Sequence, residues 1–79
     1  MKAEFKVSLP SIASVKEFVG YSVEFDGSID LYSGRYIVDG KSIMGIFSLD
    51  LTKDLEVVAE GSEESLNKFM DNIRQLVVE

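Results

Sequence analysis

The sequence predicts an α+β fold with two layers, in which a four-stranded sheet carries three helices on one face. Segments in which apolar and polar residues alternate are typical of half-buried strands, and they are interleaved with segments whose apolar residues recur at helical spacing. The segments follow the order strand, helix, strand, strand, short helix, strand, helix. Because 79 residues suffice for one core of this kind, we expect residues 1–79 to form a single domain.

The composition limits the classes of function. With 46% hydrophobic and 28% charged residues, the chain is typical of a globular protein. The absence of cysteine excludes disulfides and thiolate chemistry. A net charge of −6 disfavours direct binding to nucleic acid or to an anionic membrane surface. We expect a cytoplasmic protein, because charged residues interrupt the apolar positions of the first twenty residues and leave neither a signal peptide nor a spanning helix.

The first strand is predicted over residues 2–7, where apolar residues alternate with lysine and glutamate. A helix is predicted from Ile12, with Ser11 as the N-cap whose hydroxyl accepts a hydrogen bond from an amide of the first turn. Gly20 weakens the interior of this helix without ending it. The residues expected on its buried face are Ile12, Val15, Phe18, Val19 and Val23.

A β-hairpin is predicted after the turn at Asp26-Gly27. Ile29 and Leu31 alternate with polar residues in its first strand, and Arg35–Val38 form its second strand. Ser33-Gly34 separate the two strands and supply the turn.

The second half of the chain predicts a short helix, a strand and a longer helix. Residues 42–49 are too densely apolar for a solvated loop and predict the short helix, while residues 55–60 alternate as a strand. Ser62 is the expected N-cap of the last helix. The buried face of that helix is expected to consist of Leu66, Phe69, Met70, Ile73, Leu76 and Val77. We expect the end of the chain, Val78 and Glu79, to fray.

Residues 41–45, Lys-Ser-Ile-Met-Gly, resemble a segment of HPr, the histidine-containing phosphocarrier of the bacterial sugar phosphotransferase system. The resemblance extends without a gap from about Ser11 to Leu51 and more loosely to both ends. It implies the HPr-like two-layer open-faced sandwich, with an antiparallel sheet and the order βαββαβα. In that family the serine of this segment is a regulatory phosphorylation site, and the resemblance places it at Ser42.

The resemblance does not extend to the phosphocarrier site. That site uses a histidine at the start of the first helix, since an imidazole can accept a phosphoryl group and pass it on, and an arginine two residues later. This chain contains no histidine. A gap-free count places Ser11 at the histidine position and Ala13 at the arginine position, while the glycine and proline of the motif fall at Leu9 and Ser14. In lacking the active histidine the chain is similar to Crh, a relative of HPr.

We therefore predict no catalytic residue and no enzymatic activity. The sequence contains no Gly-rich phosphate loop and no metal-ligand spacing, so we expect no cofactor and no metal.

Ser42 has two interpretations. It can be only the N-cap of the short helix, which requires no phosphorylation. Alternatively, it is a regulatory serine recognised by a kinase, with Lys41 offsetting part of the phosphate charge. The resemblance also implies a partner-binding patch, for which Lys41, Ile43, Met44 and Phe47 are the candidates; core packing is the alternative role for the apolar ones.

Two functional hypotheses follow. The first is a non-catalytic, regulatory HPr-like protein of a bacterium, acting in carbon catabolite regulation through protein partners such as HPr kinase or a transcriptional regulator. The alternative is a protein-interaction module that kept the fold and has no remaining link to sugar transport. The sequence alone does not separate them.

Overall fold

A computed structural model describes residues 1–78, and the predicted order of elements is confirmed. A short 3₁₀ turn follows the last helix. The elements are β1 (Lys2–Val7), α1 (Ile12–Glu24), β2 (Ser28–Ser33), β3 (Tyr36–Asp39), α2 (Ile43–Phe47), β4 (Leu55–Glu60), α3 (Glu63–Asn72) and the 3₁₀ turn Arg74–Leu76.

The four strands form one antiparallel sheet in the order β1-β4-β2-β3. β4 is central, and its Val57 lies opposite Phe5 of β1 on one side and Leu31 of β2 on the other. β3, which forms the hairpin with β2, therefore lies at one edge of the sheet, and β1 lies at the other. The α+β class and the antiparallel arrangement are both as predicted.

The two faces of the sheet differ in chemistry. The inner face is apolar and buried beneath the helices, and its residues are Val7, Ile29, Leu31, Leu55, Val57 and Ala59. The outer face is exposed over most of its area and bears Lys2, Glu4, Ser28, Glu56 and Glu60. Each large buried aliphatic side chain stabilises the fold by about 1.5–3 kcal/mol relative to an exposed position. Since only one face is covered, the protein is a two-layer open-faced sandwich.

Aromatic contacts join the two longer helices. The rings of Phe18 in α1 and Phe69 in α3 meet edge to face with centroids 5.9 Å apart. Phe25, the C-cap of α1, approaches the same Phe69 ring at 5.3 Å. Such pairs contribute roughly 0.5–1.5 kcal/mol beyond the area that they bury.

The predicted buried face of α1 is wrong at its two ends. Ile12 and Val23 are 63% and 58% exposed, whereas Val15 and Phe18 are fully buried. Ser22 is also buried, and its hydroxyl is satisfied there by donating a hydrogen bond to the Phe18 carbonyl at 2.8 Å. At 3.6 residues per turn, Ile12 and Val23 lie roughly 120–140° around the helix from Phe18, outside the side of the helix that faces the sheet. Apolar spacing alone did not locate the centre of the buried face.

The predicted last helix is too long. α3 ends at Asn72, and after the 3₁₀ turn Val77 forms a β-bridge with Val7. The Ser8 amide donates to the Leu76 carbonyl and the Val78 amide donates to the Lys6 carbonyl, both at 2.9 Å. Val78 is therefore bonded to β1 rather than frayed, and Glu79 lies outside the described residues. The chain leaves the helix because these long-range backbone bonds replace helical ones.

The hairpin turn consists of Gly34 and Arg35, so the predicted second strand began one residue too early. Gly34 has φ of +59°, and no non-glycine residue of the described chain has a positive φ. A positive φ at the first central residue only is the pattern of a type II′ turn, whose twist suits a two-residue hairpin loop. No helix among residues 1–78 has the length and apolar character needed to cross a membrane.

Two glycines allow a direct check of this packing. A Cβ at Gly27 would lie 2.0 Å from the Glu60 carbonyl oxygen, whereas a Cβ at Gly20 would have no neighbour within 4 Å. We expect Gly27→Ala to lower the free energy of unfolding by about 1–3 kcal/mol, because backbone must move to admit the methyl group.

The matched control is Gly20→Ala, which we expect to raise the free energy of unfolding by roughly 0.5–1 kcal/mol through the better helix propensity of alanine. Urea denaturation followed by circular dichroism measures both changes. Equal effects of the two substitutions would contradict the close approach of Gly27 to β4.

Candidate functional site

Ser42 begins α2 as its N-cap, as predicted. Its Oγ accepts a hydrogen bond from the Gly45 amide at 3.1 Å, and its carbonyl accepts from the Ile46 amide at 3.1 Å. The Ser42 amide donates to the Asp39 carbonyl at 3.0 Å, which ties the helix start to the end of β3. The side chain is half-buried, so its hydroxyl lies at the protein surface with a defined orientation.

Gly45 keeps the surroundings of that hydroxyl open. A Cβ at this position would lie 3.1 Å from Ser42 Oγ and 3.3 Å from Val38 Cβ. The missing side chain therefore lets α2 approach β3 closely and leaves the Ser42 oxygen uncrowded. Sequence reasoning noted this glycine only as part of the family resemblance, because its neighbours come from the tertiary fold.

Lys41 has a structural contact that the sequence did not predict. Its Nζ donates a hydrogen bond to the Phe25 carbonyl at 2.8 Å, at the end of α1. Its amide donates to Asp39 Oδ1 at 2.9 Å. The ammonium group thus fixes the segment before α2 against α1, and it is a tether as well as a charge beside Ser42.

The apolar residues of α2 divide between core and surface. Ile46 is fully buried and Ile43 is half-buried against the core. Met44 is 77% exposed and Phe47 is 39% exposed. Because positions i and i+3 lie on the same side of a helix, Met44 and Phe47 form one apolar area next to Ser42. We call Ser42, Met44 and Phe47 the α2 surface.

The start of α1 is held by local hydrogen bonds between small residues. Ser11 is the N-cap, as predicted, and its Oγ accepts from the Ser14 amide at 3.1 Å while Ser14 Oγ accepts from the Ser11 amide at 3.1 Å. This reciprocal capping box was missed, although a polar residue three positions after a capping serine is its sequence signal. Ala13 is exposed and brings no charge, and Leu9 is fully buried in the core.

In the loop after α2, hydrogen bonds from the Thr52 hydroxyl and amide to Asp50 lower the pKa of that carboxyl group. Among residues 1–78, no three Asp or Glu side chains lie together in a way that could hold a metal ion. What the α2 surface offers chemically is a positioned hydroxyl beside an exposed thioether and an aromatic ring.

Comparison with known proteins agrees with this architecture. The family model described as the PTS HPr component phosphorylation site matches residues 13–79. The structure of HPr-C-His from Thermoanaerobacter tengcongensis superposes with a TM-score of 0.73 at 26% identity, covering 92% of each chain. The phosphocarrier protein HPr of Bacillus anthracis gives 0.66 at 27% identity, over 91% of this chain and 94% of that one.

A third similar structure is Crh, the catabolite repression protein of Bacillus subtilis, with a TM-score of 0.63 and 26% identity. It covers 94% of this chain and 88% of the Crh chain, and it is an intertwined dimer with a swapped domain. No curated protein matches the chain by sequence. The family match over most of the chain, together with these structures, shows that the protein belongs to the HPr family of the phosphotransferase system, in which the HPr proteins are phosphocarriers and not enzymes.

Proposed function

We propose that this protein is a regulatory member of the HPr family that does not carry phosphoryl groups. It acts in the cytoplasm of a bacterium, in carbon catabolite regulation, by binding protein partners through the α2 surface under the control of Ser42. The observation that carries the proposal is a positioned serine hydroxyl beside exposed Met44 and Phe47, in a chain of the family that has no histidine.

The residues at the start of α1 support the loss of carrier activity. Ser11 lies where the family histidine is expected, and its oxygen already bonds the Ser14 amide. A serine phosphate ester is a much poorer phosphoryl donor than a phosphohistidine, so a phosphate placed on Ser11 would not be passed on. Ala13 supplies no guanidinium for a bidentate contact with phosphate oxygens.

Charge at the start of α2 supports the regulatory role. Phosphorylation of Ser42 would add about −1.5 to −2 charges at a helix N-terminus, where the peptide dipoles favour negative charge. The helix should therefore keep its structure while the α2 surface changes from apolar to strongly anionic at one end. Gly45 has no side chain that would crowd the Ser42 oxygen. A partner that recognises Met44 and Phe47 would distinguish the two states by charge.

A second candidate function is an interaction module without regulation or any link to sugar transport. The observation in its favour is that structural contacts account for both polar candidate residues, Lys41 and Ser42. Ser42 Oγ caps α2, and Lys41 Nζ bonds the Phe25 carbonyl. Under this alternative the partners bind Met44 and Phe47, and modification of Ser42 plays no part.

Incubation with phosphoenolpyruvate and the first enzyme of the phosphotransferase system tests the loss of carrier activity. We expect no acid-labile phosphate on the wild-type protein, because the chain offers no imidazole. Acid-labile phosphate at a near-stoichiometric level would overturn this part of the proposal. Ser11→His should give at most weak labelling and Ser11→His/Ala13→Arg more, since the arginine stabilises the phosphate.

Treatment with a bacterial HPr kinase and ATP tests the regulatory serine. We expect acid-stable phosphate on the wild type and none on Ser42→Ala. That variant should also lose about 0.5–2 kcal/mol of stability, because a helix N-cap is removed. Ser42→Asp retains a capping oxygen and controls for this loss of the cap. Failure of the kinase to modify the folded wild type would favour the unregulated module.

Binding measured by pull-down from a bacterial cytosolic extract, with bound proteins identified by mass spectrometry, distinguishes the two functions. We expect Met44→Glu to abolish capture of the partners, because a charge enters the apolar part of the α2 surface. Val23→Glu, at a similarly exposed apolar residue of α1, is the matched control and should leave capture unchanged. A change in the captured proteins with Ser42→Asp would indicate regulation. Capture that is unchanged by Met44→Glu would exclude the α2 surface as the binding site.

A further inference from the structure

Methionine supplies all the sulfur atoms of this chain. The sequence contains three methionines and no cysteine, so no thiol competes for an oxidant. Met44 in α2 is 77% exposed, and Met1, which precedes β1, is 70% exposed. Met70 in α3 is half-buried and packs against the core. The fold therefore presents the side chain of Met44 to solvent and shields that of Met70.

The exposed side chain of Met44 contributes little to the stability of α2. The helix is held by the buried side chain of Ile46 and by the Gly45 amide, which donates to Ser42 Oγ. A polar group on Met44 would lie in water in the free protein, so the helix should keep its structure. Met44 is nevertheless half of the apolar area of the α2 surface, together with Phe47. A change of polarity at Met44 would therefore alter recognition without altering the fold.

We propose that Met44 is a reversible oxidation site that controls binding at the α2 surface. A hydroperoxide transfers one oxygen atom to Met44 Sδ: the O–O bond breaks, an S–O bond forms, and with hydrogen peroxide the second oxygen leaves as water. The sulfur loses two electrons and the peroxide gains them. A dithiol reductant reverses the step, because it removes the oxygen as water and is itself oxidised to a disulfide. The effect on binding rests on the proposed function of the α2 surface, whereas the oxidation itself does not.

The sulfoxide differs from the thioether mainly in polarity. Its oxygen is a hydrogen-bond acceptor that loses its bonds to water when an apolar partner surface covers it. The thioether has no such cost and adapts to the shape of a partner. Oxidation adds no net charge and leaves Ser42 untouched. The α2 surface would thus respond to two different modifications, one that changes its charge and one that changes its polarity.

Graded treatment with hydrogen peroxide, followed by mass spectrometry of peptides, identifies the oxidised residues. We expect Met44 and Met1 to gain one oxygen first, and Met70 to react at least about threefold more slowly because the fold shields it. In urea, which unfolds the chain, all three methionines should react at similar rates. Circular dichroism should show an unchanged fold after oxidation of Met44. Methionine sulfoxide reductases of both stereospecificities, supplied with dithiothreitol, should restore the original mass.

Met44→Leu separates oxidation of this residue from oxidation elsewhere. Leucine has an apolar side chain of similar volume without sulfur, so the variant should capture partners from a bacterial cytosolic extract as the untreated wild type does. After peroxide treatment and removal of the peroxide, capture by the wild type should fall about tenfold and recover on reduction. Capture by treated Met44→Leu should not change.

Three results would overturn the proposal: oxidation of Met44 no faster than that of Met70 in the folded protein, loss of the fold on oxidation of Met44, or unchanged capture by wild type oxidised at Met44. Equal loss of capture by treated wild type and treated Met44→Leu would also overturn it, because the effect would then come from Met1 or Met70. Failure of the proposed function gives a different result, since capture by the untreated protein would then be indifferent to Met44→Glu. The peptide masses identify the oxidation site in either case.

Discussion

The pairing of β4 between β1 and β2 is the contact on which the rest of the structure depends. It joins the first strand of the chain to the last, with Val57 between Phe5 and Leu31. Alternation in β4 then directs Leu55, Val57 and Ala59 to one face, where all three are fully buried. That face can be covered only by the helices, so the opposite face remains open. The same order leaves β3 as an outer strand and brings the chain end to β1 through Val77.

α2 depends on the sheet for its stability as well as for its position. A helix of five residues cannot form alone, because nucleation is unfavourable and so few hydrogen bonds follow it. Ile46 in the core, the Ser42 cap and the Lys41 bond to the Phe25 carbonyl hold it in place. The same residue thus caps the helix and presents the hydroxyl that the proposed regulation uses. Phosphorylation of Ser42 would therefore add charge to a surface whose structure is already set by the fold.

The chemistry of the α2 surface suits recognition of other proteins. It exposes a flexible methionine and an aromatic ring, which adapt to partners of different shape. The segment before α2 follows directly from β3, and the Asp39 carbonyl and carboxylate bond the Ser42 and Lys41 amides. The sheet therefore fixes the position of this surface.

The sequence by itself determined the fold class, the order of the elements and the serine caps at positions 11, 42 and 62, because alternation, helical spacing and capping chemistry are local. It also excluded histidine chemistry. Tertiary structure decided which side of α1 is buried, where α3 ends and which candidate residues are exposed. Lys41 is a tether because the chain fold brings the Phe25 carbonyl, at the end of α1, within hydrogen-bond distance of its Nζ. Such contacts join residues whose proximity no local pattern encodes, so only the packed chain reveals them.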